Sequence, residues 1–178
     1  GHCSGMKIAL LTNFLYPERI GGTELYCHQL AQALIRQNHE VYWMVPNFAS
    51  HRTITEMGES GLNIIRFAAV EEGEKSNSQF PAASFIREMK NKDIKVAHFN
   101  EIGGFEGVSG HLITAAKTNG IFSVVTLHLV HYLCMTGNLR FGGYEKCNGE
   151  VIAARCASCV QFSGFTGSKK LNHLLAKF

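Results

Sequence analysis

YPERIGGTELYCHQLAQALIRQNHEVYWMVP (Tyr16–Pro46) sets a glycine pair between an apolar run and a helix-like run. Within it, Tyr26, Leu30, Ala33 and Leu34 fall at i, i+4, i+7 and i+8, one face of a helix. Thr23 is suited to cap that helix, and Glu24 stands where the helix dipole favours an acid. Asn38 suits the left-handed turn that often ends a helix. EVYWMVP (Glu40–Pro46) then reads as a buried strand, as does KIALLTNF (Lys7–Phe14) ahead of the glycines. Strand, glycine turn, helix and strand open a parallel α/β sheet.

The rest of the chain extends that pattern. HRTITEMGES (His51–Ser60) reads as a surface excursion and LNIIRFAA (Leu62–Ala69) as a third strand. EEGEKSNSQ (Glu71–Gln79) is polar and loop-like. AASFIREMKNK (Ala82–Lys92) predicts a helix and IKVAHFN (Ile94–Asn100) a strand. GFEGVSGHLITAAKTNG (Gly104–Gly120) predicts a glycine-interrupted helix, closed by Asn119-Gly120, and IFSVVTLH (Ile121–His128) a strand. The order βαββαβαβ leaves crossovers long enough for helices, so the expected fold is a Rossmann-like, three-layer α/β domain with a mainly parallel sheet. An irregular, cysteine-rich insertion is expected over 128–160.

Composition narrows the function. The 178 residues are 46% hydrophobic and 17% charged, enough for one folded domain with a real core. A net charge of +3, scattered along the chain, gives no reason to expect nucleic acid. No run approaches the ~18 apolar residues of a membrane helix. GHCSG (Gly1–Gly5) before Met6 has neither the basic nor the apolar part of a secretory signal and reads as an expression scar, leaving 6–178 as the native domain.

Gly21 and Gly22 follow the first strand, where open α/β sheets bind ligands, beside a helix N-terminus that favours anions. On their own they also suit a plain turn before a helix. They do not form G-x-G-x-x-G, which weakens a nicotinamide or flavin reading, and they are not a P-loop. Cys134, Cys147, Cys156 and Cys159 are spaced C-x12-C-x8-C-x2-C. Four thiolates with one C-x-x-C knuckle can make a structural zinc site, with His128 and His131 as nearby spare ligands. Free buried thiols, or a disulfide from Cys134 to one of the other three, fit the spacing too. Cys27 lies near the apolar side of the first helix and reads as core.

The opening resembles that of the family 4 glycosyltransferases of the GT-B fold. Their pattern is strand, P..GG.E, helix, GHEV, strand, and Pro17, Gly21, Gly22, Glu24, His39, Glu40 and Val41 match it. Asn38 replaces the usual glycine. Asn100 and His128 match two further motifs, while Leu129 stands where that family usually has Asp. A subset of the family carries a similar cysteine pattern after the histidine. The resemblance implies the N-terminal, acceptor-side domain of a retaining glycosyltransferase, with the C-terminal donor-binding domain absent and the chain alone inactive. It implies a nucleotide-diphosphate sugar as donor, a sugar or lipid-linked hydroxyl as acceptor, and no cofactor required for transfer. Gly21 and Gly22 would offer amides to the donor diphosphate, and His128 would contact the donor sugar near the reacting centre. Asn100 and Arg19 would shape the acceptor side. The setting implied is cytoplasmic, at the inner face of a membrane: Leu171, Leu174, Leu175 and Phe178 form a stripe, with Lys169, Lys170 and Lys177 off it. A helix that covers a sheet explains the stripe equally well. The alternative from another class is a self-standing thiolate-metal binding or interaction domain on a Rossmann-like scaffold.

Overall fold

A computed structural model describes residues 5–50, 52–69, 82–102, 107–128, 130, 133–163 and 166–177. The expected loop at 71–79 lies outside the described residues, as do His131, Leu129, Phe178 and all but the last residue of the expected scar. Residues 1–126 and 127–178 form two compact units.

The first unit is built on a six-stranded sheet. Its strands are β1 (Lys7–Leu11), β2 (Glu40–Asn47), β3 (Ile54–Met57), β4 (Asn63–Ala68), β5 (Val96–Phe99) and β6 (Phe122–Val125), in the order β3-β4-β2-β1-β5-β6. All pairs are parallel except β3 with β4. Helices α1 (Gly22–Arg36), α2 (Ala82–Asn91) and α3 (Gly110–Thr118) join the parallel strands. Strand side chains alternate between two cores. Ala9, Leu11, Tyr42, Met44 and Phe67 pack with Phe85 and Met89 of α2 and Leu112 and Ala116 of α3. Ile8, Leu10, Val41, Trp43 and Val45 pack with Cys27 and Ala31 of α1 on the other face. This is the three-layer, mainly parallel arrangement expected from the sequence.

Four local expectations change. The excursion at His51–Ser60 contains β3, whose residues are all exposed. It carries no apolar stripe, and its strand character comes from pairing with β4 and from the Arg66 guanidinium, which donates to Glu56 Oε1 at 3.0 Å and also meets Glu18. The buried face of α1 runs through Cys27 and Ala31, flanked by Leu30, Leu34 and Ile35, while Tyr26 is exposed. Small side chains at the centre let the helix approach the sheet closely. Thr23 is not the cap: Gly21 is, in an extended conformation, with no side-chain cap bond. Finally, α3 starts only at Gly110, because the Val108 N–H donates instead to Asn13 Oδ1 at 2.7 Å.

The helix stops follow the residues named for them. Asn38 has φ 64°, and the N–H groups of Asn38 and His39 donate to Ile35 O and Leu34 O. That pattern satisfies carbonyls otherwise left open at the end of α1. Gly120 (φ 71°) closes α3 the same way.

In the second unit a short hairpin, β7 (Arg140–Phe141) with β8 (Glu145–Lys146), precedes α4 (Ala153–Phe162) and α5 (Lys169–Leu175). Among the described residues its buried apolar core is Phe141, Cys159 and Ala176, with Phe162 against them. Leu171 and Leu174 are exposed on α5, whose inward residue is Asn172.

Candidate active site

The chain runs outward from β1 through β2 and β4, then returns to the other side of β1 for β5 and β6. The strand order therefore reverses between β1 and β5, and the carboxyl ends of these two strands border the crevice where such sheets bind ligands. Leu11 pairs with Phe99, which brings Asn13 and Glu101 into register just beyond the strands.

Those two residues link the crevice walls. The Asn13 N–H donates to Glu101 Oε2 at 2.9 Å, while Asn13 Oδ1 accepts from Val108. A Cβ at Gly107 would lie 2.0 Å from Asn13 Oδ1, so glycine is needed for this approach. Asn100 is buried; its N–H donates to Leu11 O at 2.9 Å and its Nδ2 to His98 O at 3.1 Å. Beneath the crevice, Trp43 Nε1 donates to Thr12 Oγ1 at 2.7 Å, and that hydroxyl donates to Phe14 O at 2.6 Å.

The glycine pair opens α1 from the loop that follows β1. The two glycines differ. A Cβ on Gly21 would meet Glu24 Oε2 at 2.4 Å, so the buried Glu24 carboxylate folds back over the helix start and would have to move to admit a side chain there. A Cβ on Gly22 would meet nothing within 4 Å, and Gly22 is exposed. A helix N-terminus with open space over its first residue leaves backbone N–H groups accessible to an anion. Arg19 is exposed, 4.0 Å from Glu24 Oε1, with its guanidinium over the Phe14 ring.

Cys27 sits below this start. Burial pushes its thiol up to about 12, and the charges of Glu24 and Glu101 push the same way. It is a neutral core thiol, as its place on the helix suggested. Gly21, Gly22, Arg19 and Asn100 thus all belong to the first unit and to the loops at the carboxyl ends of β1 and β5. His128 comes three residues after Val125, the end of β6, and belongs to the second unit. Glu101 escaped the sequence reading, although it directly follows Asn100; only the register of β1 with β5 shows that it faces Asn13.

The four cysteines behave differently. Cys134, Cys147, Cys156 and Cys159 are free thiols and together line one cavity of about 190 Å³ within the second unit. Among the described residues no three His, Cys, Asp or Glu side chains already form a metal-binding group. The Thr136 hydroxyl, and then the backbone N–H groups of Leu139, Thr136 and Asn138, hold the Cys134 thiol down to about 7, against the cost of burial.

A parallel sheet with a glycine-opened helix at the point where strand order reverses defines a Rossmann-like α/β domain. The chain belongs to Glycosyltransferase Family 4, whose model matches residues 20–148. Its fold is similar to that of sucrose-phosphate synthase from Thermosynechococcus elongatus, with a TM-score of 0.55 and 17% identity over 72% of this chain. The chain covers 34% of that protein's length. No curated protein sequence matches it significantly. Among the described residues no helix is long and apolar enough to cross a membrane.

Proposed function

We propose that this chain is the acceptor-side domain of a retaining glycosyltransferase. The reaction moves a sugar from a nucleotide-diphosphate donor to an acceptor hydroxyl. The observation that carries this reading is the open start of α1: Gly22 is exposed with free space over it, at the loop after β1, in a chain of this family. Amides held there stabilise negative charge on a departing diphosphate without reorganising, which is where electrostatic catalysis gains most. A second domain, in the remainder of the whole protein, delivers the nucleotide.

His128 contacts the donor sugar near the reacting carbon; its place just beyond β6 supports that role. Asn100 and Arg19 serve the acceptor side, with Asn100 pinned by two backbone contacts and Arg19 exposed beside Glu24. Transfer uses no cofactor. Exposed Leu171 and Leu174, with Lys169, Lys170 and Lys177 nearby in sequence, suit a lipid-linked acceptor held at an anionic membrane surface on the cytoplasmic side.

The test is to express the whole reading frame and supply nucleotide-diphosphate sugars with candidate acceptors. The anomeric configuration of the product is then read by NMR. Retention with turnover supports the reading. An inverted product refutes the retaining assignment, and hydrolysis or transfer by residues 1–178 alone refutes the need for a second domain.

A further inference from the structure

We propose that residues 127–178 fold around a structural tetrathiolate metal site, a zinc ion held by Cys134, Cys147, Cys156 and Cys159. This goes beyond the glycosyl-transfer reading and does not rest on it.

The placement of the four thiols is the first argument. Cys134 lies in the loop before β7, and Cys147 directly follows Lys146, the end of β8. Cys156 and Cys159 stand three residues apart on α4, which puts both on one helical face. Loop, hairpin end and helix face therefore contribute ligands from three directions, and all four cysteines line the same cavity. Cys159 is buried and Cys134, Cys147 and Cys156 are half-buried, yet all four line the one void.

The backbone between them is shaped for close approach. Gly137, Leu139, Gly142, Gly143 and Gly149 all have positive φ, between 50° and 83°. Such conformations turn the chain tightly enough to aim N–H groups at a sulfur. The Gly142 N–H donates to Cys159 Sγ at 3.3 Å, and the Thr136 hydroxyl lies 3.1 Å from Cys134 Sγ. These contacts fix both sulfurs on the cavity wall, where the Cys159 thiol also donates to Arg140 O at 3.7 Å. A zinc ion with four thiolates carries a net double negative charge, and Arg140 and Arg155 line the cavity on which it would fall, along with one acid, Glu150.

Energetics give the reason for a metal. The unit spans residues 127–178, with Phe141, Cys159 and Ala176 as its buried apolar core among the described residues. A unit this short supplies limited hydrophobic stabilisation, and small units often add a disulfide or a metal. The cysteines are free thiols, so a metal is the staple the chemistry offers. The thiols line the wall rather than meet at a point; zinc needs each sulfur at about 2.3 Å, so loading contracts the cavity. With four protein ligands there is no open position for catalysis, and the role is structural.

The experiment uses the full chain, purified under reducing conditions. Zinc content is measured by elemental analysis, and a cobalt(II)-exchanged sample is examined by absorption. About one zinc per chain is expected, with the strong sulfur-to-cobalt charge-transfer bands and visible bands of a tetrahedral thiolate site. Cys147→Ser and Cys156→Ser should each lose most of that zinc, whereas Cys27→Ala, in the other unit, should keep it. Because a serine variant could simply fail to fold, the cobalt spectrum of the unmodified chain stands as an independent readout. A chain that takes up no zinc, a cobalt spectrum of six-coordinate oxygen ligation, or full zinc retention in both serine variants would overturn the proposal.

Discussion

The Asn13 N–H donates to the Glu101 carboxylate at 2.9 Å, across the point where the sheet reverses its strand order. The same asparagine accepts from Val108, so one side chain and its own amide tie the β1 loop to both the end of β5 and the approach to α3. In an open sheet these loops are the walls of the crevice, and the link fixes their spacing before any ligand arrives.

Asn13→Ala should therefore destabilise the first unit. Val108 is fully buried, and its N–H would lose its acceptor. A buried donor left unsatisfied costs about 1–3 kcal/mol. Gly107→Ala should act in the same direction, since its Cβ would fall 2.0 Å from Asn13 Oδ1. Urea denaturation of each variant measures this; an unchanged midpoint for Asn13→Ala would show that water replaces the lost acceptor.

The two glycines of α1 should separate folding from function. Gly21→Ala sets a Cβ against Glu24 Oε2 at 2.4 Å and should lower the melting temperature as the buried carboxylate is displaced. Gly22→Ala meets nothing within 4 Å, and alanine favours a helix, so the fold should be kept or slightly stabilised. In the whole protein Gly22→Val should nonetheless cut kcat/KM for the nucleotide sugar by about tenfold or more, if a diphosphate approaches these amides. Native kcat/KM in Gly22→Val would leave the glycine pair as a turn.

If His128 contacts the donor sugar as proposed, His128→Ala in the whole protein should lower kcat by about 10²-fold with little change in thermal stability. Melting curves beside steady-state kinetics distinguish this from a packing role, in which stability falls and kcat does not.

Alkaline pH should weaken the fold. Burial pushes the Cys27 thiol from 9.0 up to about 12. Tyr42 is raised from 10.0 to about 12, first by burial and then by the hydrogen bond its hydroxyl donates to Glu40. Both groups stay neutral in the folded chain at pH values where the unfolded chain ionises. The stability tied to them is thus fully present below pH 9.0 and lost as pH rises toward 12. Urea midpoints taken across that window should fall, and in Cys27→Ala the decline should begin later.

Much of the fold was legible in the chain because strand and helix periods differ. KIALL and EVYWMVP are continuous apolar runs, which only doubly covered strands sustain, and α2, β5 and β6 lie within the segments named for them. β3 was not legible: Ile54–Met57 has no buried face, and its strand exists only because β4 offers an open edge. The turn of the α1 face toward Cys27 and Ala31 was hidden for a related reason. Periodicity finds a face, but the side chains small enough to let helix and sheet meet are chosen by the partner surface.

The sequence by itself determined the parallel α/β order, the glycine-opened helix after the first strand, the Asn38 and Asn119-Gly120 helix ends, and the spacing of four cysteines. These are local matters: period, φ preference and distance along the chain. Only the tertiary structure decided that Glu101 faces Asn13, that Glu24 covers Gly21 and leaves Gly22 open, and that Cys134, Cys147, Cys156 and Cys159 share one cavity. Each of those joins residues through strand register, a helix turn or a hairpin, and contacts of that kind are set by how elements pack rather than by the residues adjacent in sequence.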